Sequence, residues 1–434
     1  MKLSKYTFVV KKDDCPVLYN CRTEQLTVLE PSLADLLRER SVYDISVLHP
    51  TFYDHLVAGG YVVPDEEDEA AGLVAEWQRH DTDPRRFVLF INPTLDCNLR
   101  CWYCYEKHHA GSRLTGEVYD AVVRLVRRKV ADPQLEHLAL SFFGGEPLLT
   151  FDDVVYPLLA EVDRLCREHG KTMTYSFVTN ATLLTDHVVD SLQTVHSASL
   201  PVFQITLDGN AASHDRVRID AKGHGSYAMI LENIRRVLRA GMSVTLRLNT
   251  TNANLDTFVD VLTDLADLSD AEKKLVTVDI QHVWQDAPNR TPDFAERQGR
   301  LRSRFREAGF TVTEMKYIDA SRCYADKDNH ISVNYNGDLY KCTARDFTPD
   351  NREGRLEPDG TLAWNDRRAL RDRIRYGNET CRACRIFPLC HGGCSQFKLD
   401  SMGRSGCIRG YTPAFRQKII EDRIDYLLEK LMSN

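Results

Sequence analysis

Along residues 1–63, short apolar runs are broken by turn-prone polar stretches, a rhythm that predicts strands at 6–10, 16–19 and 25–29. A helical period follows at 32–40, with Ser32 as its N-cap. A second, at 51–57, is closed by Gly59-Gly60 ahead of the apolar Tyr61-Val62-Val63. The acidic run Asp65-Glu66-Glu67-Asp68-Glu69 then reads as a solvated linker.

From Phe87 the rhythm changes. Apolar runs predict strands at 87–92, 138–143, 173–178, 203–207, 244–249 and 276–283, and amphipathic stretches predict helices at 116–130, 154–168, 186–195, 229–240 and 255–265. Helix-length crossovers imply a parallel sheet. Six β–α repeats, against the eight of a closed barrel, predict an α/β fold built on an open, partial (β/α)6 TIM-like barrel. After about residue 315 the alternation stops, and Gly, Cys and charged residues dominate, the pattern of a region held together by metal. The stretch 413–434 is an amphipathic helix with Ile420, Ile424, Leu427, Leu428 and Leu431 on one face, expected to pack against the barrel.

Composition narrows the classes. With 434 residues, 43% of them hydrophobic and 27% charged, the chain has apolar material for two or three domains, which excludes a disordered or fibrous protein. The 56 basic and 63 acidic residues leave a net charge of −7, against nucleic acid as a partner. No window approaches the ~20 unbroken apolar residues of a membrane helix, so no membrane association is expected. The start, Met1 to Tyr6, has neither the apolar core nor the small-residue cleavage site of a signal peptide, and the expected location is the cytoplasm. A disulfide framework is not expected there, yet the chain has 13 cysteines, three at 97, 101 and 104 and seven between 323 and 407. Such clustering reads as metal sites. Cys15 and Cys21 read as apolar fillers.

Cys97, Cys101 and Cys104 form a C-x3-C-x2-C run just after the first predicted barrel strand. Three thiolates on one loop can hold three corners of a cubane and leave the fourth iron open to a ligand. Zinc is the alternative reading, with His108 and His109 close by. Gly144-Gly145-Glu146-Pro147 ends the second strand, Thr179-Asn180 the third, and Thr206-Leu207-Asp208-Gly209 the fourth, followed by His214-Asp215-Arg216-Val217-Arg218. Barrel active sites gather at the C-terminal ends of strands, so these motifs are expected in one pocket.

The cysteine run resembles the signature of the radical S-adenosylmethionine (radical SAM) enzymes, and Gly144-Gly145-Glu146-Pro147 resembles that family's GGEP motif, which faces the amino group of SAM. The resemblance implies a 4Fe–4S cluster on Cys97, Cys101 and Cys104. It also implies SAM contacts from Tyr103, Gly144, Gly145, Glu146, Asn180, Thr206 and Arg218, with Arg218 able to meet the methionine carboxylate as a bidentate pair.

Cys323, then Gly337 and Cys342, then Cys381, Cys384, Cys390, Cys394 and Cys407 are spaced as in the SPASM extension of peptide-modifying radical SAM enzymes. The alternative is a zinc ribbon on Cys381, Cys384, Cys390 and Cys394. The resemblance implies two auxiliary 4Fe–4S clusters, one on Cys381, Cys384, Cys390 and Cys407, the other on Cys323, Cys342 and Cys394. Full ligation of the latter uses a further Cys shortly before the first, where this chain reads Glu314-Met315-Lys316-Tyr317-Ile318-Asp319; an open iron, a non-Cys ligand and incomplete occupancy all stay open. Sulfatase maturases place a proton-accepting Asp directly after the Cys that matches Cys342; here it is Thr343.

Residues 1–70 resemble the small winged-helix units that grip leader peptides, often by adding a strand to a sheet edge; a structural cap on the barrel is the alternative. Residues 85–312 then correspond to the radical SAM partial barrel and 313–434 to the SPASM domain with its C-terminal helix. The resemblance implies an enzyme that forms a 5′-deoxyadenosyl radical and takes a hydrogen from a ribosomally made precursor peptide, installing a thioether or carbon–carbon crosslink. A reductant such as flavodoxin or ferredoxin would supply its electrons. Peptide epimerisation and formylglycine formation are the alternative reactions, and a zinc or peptide-binding scaffold is the non-enzyme alternative.

Overall fold

The computed structural model describes residues 1–313, 322–401 and 406–432. The stretch Glu314 to Asp319, which bears on the missing ligand, lies outside them. Two compact units are present, one formed by Met1–Thr82, Lys316–Lys327 and Ala369–Asn434, the other by Asp83–Met315 and Asp328–Arg368.

In the first unit β1 (Lys2–Leu3) pairs antiparallel with β5 (Val62–Val63), while β2 (Thr7–Lys12), β3 (Cys15–Asn20) and β4 (Leu26–Val28) form an antiparallel sheet in that order. The β2–β3 turn is Asp13-Asp14, both at positive φ (45° and 66°), the backbone that a tight two-residue hairpin demands. Period-2 alternation gives the sheet two buried faces. Leu18 packs with Leu29, Ala34, Ile45, Phe52 and Leu56 beneath the helices Pro31–Glu39, Val42–Leu48 and Pro50–Ala58. Tyr6, Phe8, Val10, Val17 and Tyr19 pack on Leu73 and Trp77, on Phe387, and on Ile419, Ile420 and Ile424 of the helix Pro413–Met432.

Several expectations change here. The residue at the first N-cap is Glu30, with no side-chain cap, because Pro31 rather than Ser32 opens the helix. The helix Val42–Leu48, with a capping box from Ser41 and Asp44, lies where the sequence showed no element. The acidic run is a linker only in part. Asp68 caps a further helix, Glu69–Asp81, and Glu69 is buried, accepting from Ser4 Oγ and the Lys5 N–H. The C-terminal helix, expected against the barrel, packs on the front sheet, and Leu431 at its end is exposed.

In the second unit six parallel strands, β6 (Arg86–Asn92), β7 (His137–Phe142), β8 (Thr172–Thr179), β9 (Val202–Leu207), β10 (Ser243–Thr250) and β11 (Val276–His282), lie side by side in chain order. The helices between them include Gly116–Val130, Tyr156–Glu168, Asp186–Gln193, Tyr227–Arg239 and Phe258–Asp264. The helix Phe294–Glu307, which the sequence did not reveal, leads to β12 (Thr311–Val312), parallel to β11. At the other edge β13 (His330–Asn334) pairs parallel with β6, and β14 (Asp338–Tyr340), β15 (Gly354–Leu356) and β16 (Leu362–Trp364) continue antiparallel, making eleven strands among the described residues. The region after residue 315, read from the sequence as held together by metal, thus also extends the sheet through short strands.

At matched register, Phe142, Phe177 and Phe203 stack across β7, β8 and β9 with centroids 5.2 and 5.3 Å apart. Phe177 is fully buried at the centre of this ladder. Phe177→Ala should cost about 3–5 kcal/mol in urea-induced unfolding of the full chain; a loss below about 1 kcal/mol would mean the ladder does not carry the sheet core.

Candidate active site

The cysteine loop leaves β6 at Pro93. Thr94 Oγ1 donates to the Ser112 carbonyl (2.6 Å) and accepts the Asp96 N–H (2.8 Å); Asp96 Oδ2 accepts the Gly111 N–H (2.9 Å) and its Oδ1 the Cys97 N–H (2.8 Å). The loop therefore closes on itself before the first cysteine. Gly144 and Gly145 press on this base. A Cβ on Gly145 would sit 2.1 Å from the Asp96 carbonyl oxygen, and one on Gly144, at φ +99°, would sit 2.5 Å from that of Thr94. The glycines' close approach in this structure is thus to the root of the cysteine loop.

Glu146 is wholly buried, its backbone N–H donating to the Asp96 carbonyl (2.8 Å). Its carboxylate accepts from Thr179 Oγ1 (2.7 Å), the Leu148 N–H (3.1 Å) and the Asn180 N–H (2.7 Å). Expected as an acceptor for a ligand, Glu146 here braces the exit of β7 to that of β8. Burial raises its pKa to about 7 despite those donors. Asn180 Nδ2 donates to Asn98 Oδ1 (2.7 Å) and approaches Cys97 Sγ (3.8 Å), which also faces the Leu99 N–H (3.5 Å).

Tyr103 and Arg218 meet at Asp208. Tyr103 Oη donates to Asp208 Oδ2 (2.8 Å), Arg218 Nε lies 2.6 Å from the same oxygen, and Arg218 Nη2 lies 2.7 Å from Tyr103 Oη. Burial opposes the Arg218 charge, but Tyr103, Cys101 and Asp208 outweigh it and hold the guanidinium pKa well above its ordinary value. His214 braces this group. Its Nδ1 faces the Asp208 N–H (3.4 Å), its Nε2 lies 3.1 Å from Ser226 Oγ, and that hydroxyl donates to the Arg218 carbonyl (2.8 Å). Burial, then Arg218, lowers the His214 pKa to about 3, so the ring is neutral and carries its proton on Nε2. Thr206, at the end of β9, is 9% exposed. Thr179, Asp208 and His214 lie in the strand-end motifs that the sequence placed in one pocket, though without roles of their own, and Asn98 was not singled out.

Burial raises the pKa of Cys97 to about 12 and of Cys104 to about 11, and also raises that of Cys101. Among the described residues no three His, Cys, Asp or Glu side chains converge on one ion position. A cubane asks for a different arrangement, since each thiolate binds its own iron. Cys97 feels the charges of both Cys101 and Cys104, which places the three thiols in one neighbourhood. An iron cluster keeps buried thiols deprotonated, and the donor set fits that group.

In the first unit, Cys381, Cys384, Cys390 and Cys407 line one small pocket of about 20 Å³, walled by Ile386, Phe387 and Tyr411. Burial works to raise the Cys407 thiol, but the Tyr411 and Arg409 N–H groups and the Arg416 guanidinium bring it below its ordinary value. The four-thiol lining fits the cluster that the spacing suggested. Cys323 and Cys394 belong to the same unit, where Ser395 Oγ donates to Asp326 beside them; Cys342 belongs to the second unit.

Residues 91–265 match the radical SAM superfamily. The chain is 24% identical over 44% of its length to the radical SAM cyclopropyl synthase TigE of Paramaledivibacter caminithermalis. It is 24% identical over 40% to the cysteine-type anaerobic sulfatase-maturating enzyme of Clostridium novyi. It spans 46% of the length of each, less than half of either relative. The crystal structure of Streptococcus suis SuiB bound to precursor peptide SuiA shares the fold at 13% identity, with a TM-score of 0.52 over 93% of this chain and 97% of that one. The chain thus carries a radical SAM domain, is related to anaerobic sulfatase-maturating enzymes, and shares its fold with SuiB. That domain supports SAM and a 4Fe–4S cluster as its cofactors.

Glu146→Gln would set an amide NH2 against one of two backbone N–H donors, Leu148 or Asn180, and should cost about 1–3 kcal/mol. The raised pKa adds a pH signature. The folded state holds the Glu146 proton more tightly than the unfolded chain, so this contribution is whole below pH 4.5 and is lost as pH rises to about 7. Urea unfolding at several pH values should show Glu146→Gln losing less stability than wild type between pH 5 and 7; parallel curves would contradict it.

Proposed function

We propose that this chain is a radical SAM/SPASM maturase that takes a hydrogen from a ribosomally made precursor peptide and installs a thioether or carbon–carbon crosslink. When bound, a 4Fe–4S cluster and SAM would supply the hydrogen-abstracting radical chemistry. The chain's own residues hold them: Cys97, Cys101 and Cys104 carry the cluster, and Tyr103, Asp208 and Arg218 present a fixed charge and hydroxyl beside it. The observation that carries the peptide-maturase reading is the four-cysteine space around Cys381, Cys384, Cys390 and Cys407, a second cluster site beyond what SAM cleavage needs. We assign Cys323, Cys342 and Cys394 to a third cluster, with residues 85–312 as the radical domain and 313–434 as the auxiliary-cluster domain.

Residues 1–70 are assigned to leader-peptide binding. Strand β4 is an edge, paired to β3 through residues 25, 27 and 29, so Leu26 and Val28 turn their N–H and C=O groups outward. Beside that edge runs a groove of about 540 Å³ lined by Val28, Leu29, Leu33 and Phe52 with Asp14, Glu30, His49 and His55. Strand addition there would give an extended peptide backbone pairing and apolar anchorage together.

Protein reconstituted anaerobically should hold about twelve irons per chain and, with reductant and SAM, release 5′-deoxyadenosine; Cys101→Ala should abolish that release. Mass spectrometry of the peptide encoded beside the gene separates the reactions: a crosslink removes two hydrogens, epimerisation leaves the mass unchanged, and formylglycine changes one Cys or Ser. Colourless, zinc-loaded protein would overturn the proposal.

Val28→Pro removes an outward N–H at the β4 edge and should weaken precursor-peptide binding, read by fluorescence anisotropy, by at least about tenfold. Unchanged binding would remove the leader site from this edge.

A further inference from the structure

The segment from Cys97 to Gly111 contains no helix or strand among the described residues; contacts from distant loops set its shape. Two such contacts bracket its last cysteine. Gln285 Nε2, just beyond β11, donates to the Tyr103 carbonyl (2.6 Å), and neighbouring Trp284 stacks on Tyr105 with centroids 5.5 Å apart and planes at 21°. From beyond β14, the Thr343 carbonyl accepts Tyr105 Oη at 2.8 Å, Asp346 Oδ1 accepts the Lys107 N–H at 3.0 Å, and Arg345 lies over the Trp284 ring at 5.5 Å. Tyr105 follows Cys104, and Thr343 follows Cys342. One hydrogen bond therefore closes an otherwise covalent path between a ligand of the SAM-binding cluster and a cysteine assigned above to an auxiliary cluster. All these residues lie in the second unit.

We propose that Tyr105 is a positioning residue that ties the SAM-cluster loop to the Cys342 loop, so that SAM affinity at the first depends on the state of the second. The proposal rests on the reading of Cys342 as a cluster ligand. Its physical basis is that Tyr105 shares one short loop with Tyr103, whose hydroxyl sits in the Asp208–Arg218 group. A shift of the Thr343 carbonyl draws on the Tyr105 hydroxyl, and the strain is delivered two residues away at the SAM pocket. Trp284 and Gln285 hold the other side of the loop, so a pull at Thr343 bends the loop instead of translating it. Coupling of this kind is reciprocal, and a double-mutant cycle measures it.

The test uses the full chain, anaerobically loaded, as wild type, Tyr105→Phe, Cys342→Ala and the double variant. Equilibrium dialysis with labelled SAM gives the dissociation constant, and iron analysis gives cluster content. The energy of one hydrogen bond sets the scale: Cys342→Ala should weaken SAM binding roughly threefold to tenfold in the wild-type background. In the Tyr105→Phe background it should change affinity by less than about twofold, because the tie is already cut. Equal fold-changes in both backgrounds overturn the proposal. Iron separates the two ways of failing. If Cys342→Ala loses iron and the cycle is additive, the tie is wrong and the ligand assignment stands. If it keeps its full iron and the cycle is non-additive, the tie stands and the ligand assignment fails. Should Tyr105→Phe not fold, Trp284→Leu, which loosens the same ring while keeping its hydroxyl, takes its place with the same expected loss of coupling.

Discussion

Everything at the candidate site hangs on a backbone-to-backbone contact that no side chain can enter. The turn after β7 lies so close to Thr94–Asp96 that any Cβ on Gly144 or Gly145 would penetrate a carbonyl. That contact fixes where the cysteine loop leaves the sheet. The Glu146 carboxylate, buried and saturated by Thr179, Leu148 and Asn180, then locks the same turn to the exit of β8. Asn180 carries the chain of contacts on to Asn98 and Cys97. The cysteine loop, without secondary structure of its own, is thus positioned by neighbours that have it.

The second group, Tyr103, Asp208 and Arg218, solves a different problem. A buried guanidinium is costly unless paired, and here its partner is a carboxylate oxygen shared with a phenol. The pair stands beside Cys101 with its charge orientation set in advance, and neutral His214 supports it from behind. The expectation that Arg218 would reach for a ligand carboxylate is met by an arginine already engaged, whose remaining N–H groups set what else it can hold.

How much of this was legible in the sequence follows from what each signal encodes. The parallel strands were, because β-branched and aromatic runs at helix-length spacing have few other solutions. The helix Val42–Leu48 was not: its Tyr43, Val47 and Leu48 are exposed, so its apolar positions form no buried stripe. Strands β13 and β14 were hidden for the opposite reason. His330, Ser332, Asn334 and Asp338 are buried polar residues, and they break the apolar pattern that marks a strand. The Glu69–Asp81 helix was masked by the acidic run that caps it. At the site, cysteine spacing is a local signal and was readable, whereas the meeting of Tyr103 with Asp208, 105 residues on, is a product of strand order. Nor could a sequence show that the front sheet and the last helix share one core, placing the groove beside β4 and the four-cysteine pocket in one unit.

The central claim is that three thiols leave one iron of a cluster open and that SAM occupies it. Electron paramagnetic resonance of the reduced, reconstituted protein, recorded before and after SAM is added, tests this most directly. The account predicts a cluster signal whose g-values shift on addition of SAM and that is lost in a Cys97→Ala variant. The absence of any SAM-responsive component beside the signals of the auxiliary clusters, or a SAM-responsive component that survives the loss of Cys97, would contradict it.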